Sequence, residues 1–335
     1  MAVTTRVHPS RPTPGAIRAA ARVLRAGGLV AFPTETVYGL GADALNQAAV
    51  KKIFAAKGRP ATNPLIVHLS DSGAARELAG EWPAPAGALA KAFWPGPLTL
   101  VVPKRPEVPD QVTAGLGTVA LRVPAHPVAT ALLREARLPL AAPSANRSGE
   151  VSPTTAAHVE RALGDAVDMI LDAGSTEVGI ESTVVDLTGR WPVLLRPGGV
   201  SLERLRSVVG RLEVQEGAGE PGVAQSSPGT LARHYAPRAK LRIVERAALA
   251  RLGQHQGRVG AVVLGAAGLS ANARIIRLPD DPAGYARGLY AALHELDDSG
   301  CDLILVEGVP DTPGWEAVRD RLRRAAEVSP AAGLS

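Results

Sequence analysis

Leu29-Val30-Ala31-Phe32-Pro33-Thr34-Glu35-Thr36-Val37-Tyr38-Gly39-Leu40-Gly41 begins as an apolar run and then breaks into hydroxyls and glycines. Leu29 to Phe32 has the length and composition of a buried strand, and the polar residues after it form a turn at the strand's end. Upstream, Thr13-Pro14 opens a helix as cap and first-turn residue; Ile17, Ala20, Ala21 and Leu24 fall at helical spacing, and Gly27-Gly28 close it. Downstream, Val50, Ile53 and Phe54 mark a second helix that stops at Gly58, before Pro60. The alternation continues, with strands predicted at 65–69, 98–102, 118–123, 138–142, 168–172, 182–187 and 193–196. Helices are predicted at 127–136, at 153–163 with Ser152 as cap and Pro153 in the first position, and at 201–209 with Ser201 as cap. This is the pattern of an α/β fold built on a twisted mixed sheet.

At 335 residues the chain suits two domains. Residues 215–227 are small and polar and read as linker. Beyond them a second alternation places strands at 241–244, 259–264, 274–278 and 302–306, with helices at 246–253, 282–297 and 314–327. The expected division is a larger domain over 1–210, a linker over 211–240, and a small doubly wound, Rossmann-like domain over 241–335.

Hydrophobic residues make up 46% and charged residues 21%, enough apolar material for a substantial core. The longest apolar runs, such as Leu303 to Val306, are strand-sized, so no membrane span is expected. The first residues lack a basic segment followed by an apolar stretch, and a cytoplasmic location is expected. Cys301 is the sole cysteine, which excludes an internal disulfide and any multi-cysteine metal site. A formal charge of +5 favours anionic ligands, whether nucleotide, phosphate or RNA, while aromatics at 3% argue against base-stacking on single strands.

Four segments carry chemistry that the fold does not require. Pro33 to Gly41 places hydroxyls and glycines where a polar ligand can approach closely, although a plain connecting turn would use the same residues. In Lys57-Gly58-Arg59-Pro60, Lys57 complements a helix C-terminus, whereas Arg59 sits in chain that cannot continue the helix and can reach outward to a phosphate. On the strand that follows Asn63-Pro64, Leu65, Val67 and Leu69 share one face and Ile66 and His68 the other. Over 117–124, Val119, Leu121 and Val123 form an apolar face and Thr118, Ala120 and Arg122 the opposite one. That second face is either wet or a ligand floor on which Arg122 grips a carboxylate or phosphate. Finally, the turn Ala141 to Gly149, ahead of Ser152, offers hydroxyls and amides for a phosphate cradle. Gly179 to Thr183 and Arg196-Pro197-Gly198 add polar groups beside further strands.

Phosphate-loop, dinucleotide-fingerprint, zinc and nucleophile-elbow motifs are all missing. ATP, if used, must be bound by scattered strand ends and turns.

Taken together, PTETVYGLG at 33–41, KGRP at 57–60, NPLIVH at 63–68, LRVP at 121–124, APSAN at 142–146, GIESTVVD at 179–186, LRPG at 195–198 and SPGTLARHYAP at 227–237 resemble the Sua5/YrdC/YciO family. Within it, the domain after the HYAP segment resembles the two-domain Sua5 type. The resemblance implies a nucleotidyltransferase that makes threonylcarbamoyl-AMP and pyrophosphate from L-threonine, bicarbonate and ATP. That product feeds a downstream tRNA threonylcarbamoyl transferase machinery that forms N6-threonylcarbamoyladenosine in tRNA. It further implies Thr36, His68, Arg122, Ser182 and the Ala142 backbone as threonine contacts, with Arg122 on the carboxylate. Lys57, Arg59, Asn63, Thr118, Ser144, Ser152, Arg196 and Tyr235 are implied as ATP contacts, Lys57 and Arg59 also as the catalytic cations, and Tyr235 as part of an active-site lid formed by the linker. Mg2+ would travel with the triphosphate, without a carboxylate cage in the protein. The linker departs from the family's usual SPGMKYRHYAP, while Arg233, His234 and Tyr235 are retained. A rival reading is a non-catalytic module for double-stranded RNA; retention of Lys57, Arg59 and the RHYAP segment favours the enzyme. Hydrogenase maturation factors with a related domain need cysteine pairs, which this chain lacks.

Overall fold

A computed structural model describes residues 2–215, 233–249, 257–265 and 274–326. The chain divides into two compact units, Met1–Ser148 with Ser152–Leu231, and Gly149–Val151 with Ala232–Ser335. The linker residues 216–232, including the Ser227-Pro228-Gly229 start of the family segment, lie outside the described residues.

In chain order the first unit contains β1 (Val3–Arg6), α1 (Pro14–Arg25), β2 (Val30–Pro33), β3 (Tyr38–Asp43), α2 (Gln47–Lys57), β4 (Ile66–His68), α3 (Ser72–Leu78), α4 (Ala84–Phe93), β5 (Leu98–Pro103) and α5 (Asp110–Thr113). It continues with β6 (Thr118–Arg122), α6 (Pro127–Ala136), β7 (Leu140–Ala141), α7 (Ala156–Leu163), β8 (Met169–Asp172), β9 (Thr183–Asp186), β10 (Val193–Arg196), α8 (Leu202–Val209) and β11 (Glu213–Val214). The strands form one mixed 11-stranded sheet in the order β1-β8-β2-β3-β7-β4-β6-β5-β9-β10-β11. β11 lies past residue 210 and pairs parallel with β10, while Leu212 is buried in the core.

Two apolar clusters hold helices to this sheet. Ile17, Ala20, Ala21 and Leu24 of α1 join Val128, Leu132 and Leu133 of α6 over Val30, Phe32 and Leu171. Val50 and Ile53 of α2, Leu89 of α4 and Val159 of α7 join Leu40, Val67, Leu100 and Leu121. α2 is capped by Asn46, whose side chain accepts from the Ala48 and Ala49 amides, and ends at Gly58 with φ 58°, a left-handed conformation that glycine adopts at little cost.

Three features differ from the sequence pattern. First, Tyr38 to Asp43 is a strand paired antiparallel with β2, so only residues 34–37 form the turn. The Thr34 hydroxyl organises it, donating to the Val37 carbonyl at 2.7 Å and accepting from the Thr36 and Val37 amides. Second, α3 and α4 fill the interval before β5; they are rich in Ala and Gly, which weakens a hydrophobic period. Third, α7 begins at Ala156, and its cap is Thr155, which accepts from the His158 amide. Ser152 is not the cap, because its hydroxyl donates to the Glu181 carboxylate at 2.5 Å. The adjoining chain runs extended, with the Pro153 carbonyl accepting from the Tyr38 amide at 2.9 Å.

The second unit contains β12 (Lys240–Val244), α9 (Arg246–Leu249), β13 (Val259–Leu264), β14 (Arg274–Leu278), α10 (Pro282–Asp298), β15 (Leu303–Glu307) and α11 (Glu316–Ala325). Its strands are all parallel, in the order β12-β15-β13-β14. The expected continuation of α9 to residue 253 falls outside the described residues. α10 is capped by Asp281 and buries Tyr285, Leu289, Tyr290 and Leu293.

Candidate active site

Alternation along four neighbouring strands builds the site. Ile66, Ala120, Val101 and Val184 form a small apolar cluster with Leu195, on the face of β4, β6, β5 and β9 turned away from the main core. One step along the same face of each strand stand His68, Arg122, Thr99 and Ser182, and Arg196 ends β10 beside them. His68 and Arg122 are register partners, and the Thr99 and Ser182 hydroxyls lie 2.8 Å apart. Arg196 donates to the Ser182 carbonyl at 2.9 Å and to its hydroxyl at 3.2 Å. A row of polar side chains thus borders an apolar floor at one end of the sheet, and Thr118 flanks Ala120 on the opposite side of that floor.

This face is not wet: Arg122 is 3% exposed, which removes the reading of β6 as an ordinary solvated edge. Its Nη2 donates to Glu35 Oε1 at 2.7 Å, and Nε leans towards the Gly96 carbonyl at 3.4 Å. Nη1 has no hydrogen-bond partner among the described residues. Burial, and then the positive charge of Arg122, push the His68 imidazole down to about 3, with a backbone hydrogen bond to Ile66 opposing them, so the ring is neutral at pH 7.

The basic turn and the small-residue turn meet. Lys57 Nζ donates to the Ser144 carbonyl at 2.5 Å and to that of Asn146, and the Ser148 amide donates back to the Lys57 carbonyl at 2.8 Å. Lys57 is therefore buried and does more than complement a helix end. Arg59 is also buried, and the expectation that it points outward is corrected. Its guanidinium folds onto Asn63 Oδ1 at 2.6 Å and the Pro64 carbonyl at 2.7 Å, groups that no strand ladder satisfies. Asn63 Nδ2 is buried without a partner, an orphan donor beside Arg59. Ala142 is fixed by its amide, which donates to the Ile66 carbonyl at 2.9 Å. Thr36 is fully buried, its hydroxyl 2.8 Å from that of Thr34. Contacts therefore join Lys57 with Ser144, Arg59 with Asn63, His68 with Arg122, and Ser182 with Arg196.

Of the expected residues outside these pairs, Ser152 and Tyr235 have partners of their own. Ser152 is held by Glu181. Tyr235 belongs to the second unit, where it is buried with φ 62°, stacks on Tyr290 with ring centroids 5.8 Å apart, and lies under the Arg321 guanidinium. Sequence patterns assigned no role to Glu35, Thr99 or Glu181, although Glu35 and Glu181 lie within the quoted segments, since their partners are distant in sequence.

A family profile described as "Telomere recombination" (Sua5, YciO, YrdC) matches residues 22–198. The chain belongs to the Sua5/YrdC/YciO family. A second profile, for the threonylcarbamoyl-AMP synthase C-terminal domain, matches residues 200–327 and marks the Sua5 type. Threonylcarbamoyl-AMP synthase of Pyrococcus abyssi is 46% identical over 321 residues, covering 92% of this chain and 94% of that protein. The Bacillus subtilis protein of the same name is 45% identical, with 92% of each chain covered. The crystal structure of Pyrococcus abyssi Sua5 complexed with L-threonine superposes with a TM-score of 0.91 at 44% identity, over 97% of each chain. This Sua5-type chain thus matches both relatives over more than nine-tenths of their length and shares the fold of the Pyrococcus abyssi structure.

Proposed function

We propose that the chain is an L-threonylcarbamoyladenylate synthase, a nucleotidyltransferase that converts L-threonine, bicarbonate and ATP to threonylcarbamoyl-AMP and pyrophosphate for tRNA modification. The observation that supports this most is the polar row bordering the apolar floor, in a chain so similar to proteins of that name. The threonine amine bonds to the carbon of bicarbonate while a carbon–oxygen bond breaks and water leaves, giving a carbamate. A carbamate oxygen then bonds to the α-phosphorus while the bond to the β-phosphate oxygen breaks, and pyrophosphate leaves with the electron pair. Such a step needs placement and charge stabilisation more than a protein nucleophile.

In this reading Arg122 offers Nη1 to the threonine carboxylate, and Thr36, neutral His68, Ser182 and the Ala142 backbone surround the rest of the amino acid. Lys57 and Arg59 stabilise charge on the leaving pyrophosphate, and Asn63, Thr118, Ser144, Ser152, Arg196 and Tyr235 complete the ATP contacts. No cluster of three or more His, Cys, Asp or Glu suited to a metal occurs among the described residues. The donor set is cationic and hydroxylic, which fits Mg2+ held by the phosphate oxygens alone. Bound there, the ion would neutralise phosphate charge. The second unit is assigned as a Rossmann-like C-terminal domain, the product passes to a tRNA threonylcarbamoyl transferase machinery, and a cytoplasmic location suits that role. No helix among the described residues is long and apolar enough to cross a membrane.

Pyrophosphate release by the purified chain tests this reading, with threonine, bicarbonate and ATP omitted one at a time. Release should require all three. Release from ATP alone, unchanged by threonine, would contradict it, and salt-sensitive RNA binding without turnover would favour the RNA-module reading.

A further inference from the structure

Glu35 belongs to no set of expected ligand contacts, yet its hydrogen bonds tie the turn after β2 to distant parts of the same unit. Its carboxylate is buried and fully engaged: Oε1 takes Arg122 Nη2 at 2.7 Å, and Oε2 takes the Ala125 amide at 3.1 Å. Its own carbonyl accepts from the Val178 amide at 2.8 Å, and the neighbouring Thr36 carbonyl accepts from the Gly179 amide at 3.1 Å. One residue thereby ties the turn to the end of β6 and to the segment leading into β9.

The consequence falls on Arg122. A guanidinium withdrawn from water keeps one orientation only when its donors meet fixed acceptors. Glu35 and the Gly96 carbonyl engage Nη2 and Nε, so Nη1 is the guanidinium nitrogen with no acceptor among the described residues. We infer that Glu35 is a positioning residue of the amino-acid site: it clamps Arg122 so that the Nη1 edge meets the substrate carboxylate. It touches no reacting atom, and its effect passes entirely through Arg122. This inference rests on Arg122 being the carboxylate contact.

The test is a double-mutant cycle on the full chain, with KM for threonine and for ATP read from pyrophosphate release. Arg122→Ala should raise the threonine KM at least about tenfold and leave the ATP KM within about twofold. Glu35→Gln, which keeps shape but removes the charge, should raise the threonine KM about five- to tenfold, again with little effect on ATP. Combining the two should be no worse than Arg122→Ala alone within about twofold, because the clamp has nothing left to hold. Should Arg122→Ala leave threonine untouched, the carboxylate assignment fails and the clamp with it. If Arg122→Ala weakens threonine but Glu35→Gln does not, or if Glu35→Gln acts equally in both backgrounds, only the positioning role is overturned. Were Glu35→Gln not to fold, Glu35→Asp serves instead. It keeps the charge but cannot span both partners, and a parent-like threonine KM in that variant overturns the role.

Discussion

Lys57→Met is the perturbation whose size the structure defines best. The ammonium is buried and donates to the carbonyls of Ser144 and Asn146, tying the end of α2 to the turn after β7. A hydrogen bond from a charged donor contributes roughly 1.5–3 kcal/mol, so these two together contribute about 3–6 kcal/mol. Methionine fills most of the volume and removes the cost of burying a charge, which offsets part of that loss. Two carbonyls remain without their donor, at about 1–3 kcal/mol each. A net destabilisation of about 2–4 kcal/mol follows, equivalent to about 5–15 °C in Tm for a unit of this size. Differential scanning calorimetry on the full chain reads it, with ATP titration alongside, since the same turn carries Ser144. A melting temperature within about 1 °C of the parent, with unchanged ATP affinity, would refute the role given to Lys57.

Other outcomes are equally specific. The unfolded chain protonates His68 near pH 6.5 while the folded chain resists until about 3, so that contribution to stability is complete above pH 6.5 and is lost as pH falls. His68→Gln should therefore lose about 2 kcal/mol less than the parent between pH 7 and pH 5 in urea unfolding, and equal losses would contradict a neutral buried imidazole. A Cβ at Gly198 would stand 2.4 Å from the Glu181 carbonyl oxygen and the backbone of Ser182 and Thr183. Gly198→Ala should cost about 1–3 kcal/mol and weaken threonine binding by displacing Ser182, and parent-like calorimetry would count against this packing. A chain ending after Gln215 keeps β11 and Leu212, and should fold cooperatively yet release pyrophosphate at less than about a tenth of the full rate, because Tyr235 is absent. Full activity in that fragment would remove Tyr235 from the ATP site.

Much of the fold is legible because its signals are local. The strand-sized apolar runs mark β2, β5, β6 and β13, and alternation assigns the two faces of β4 and β6 as the core clusters show them. What escapes depends on distance or on competition. β3 hides in Tyr38-Gly39-Leu40-Gly41 because glycines mimic a turn; Gly41 is required there by Phe32, whose ring carbon would lie 2.7 Å from an added Cβ. The Ser152 cap fails because Glu181, 29 residues away, takes its hydroxyl. The pairing of Glu35 with Arg122 spans 87 residues, and nothing in either segment announces it. Arg59 shows the limit of reading a cation from its neighbours: glycine and proline do break the helix, but the freed loop carbonyls claim the guanidinium.

The reaction itself is tested most directly by the mass of the nucleotide product formed with 13C-bicarbonate. Carbamate chemistry at this site predicts a threonine–carbonyl–AMP adduct that carries the labelled carbon and appears with equimolar pyrophosphate. An unlabelled threonyl-AMP, formed by the amino-acid carboxylate attacking ATP, would mean that Arg122 does not hold that carboxylate away from the α-phosphorus, and the account would be contradicted at its centre.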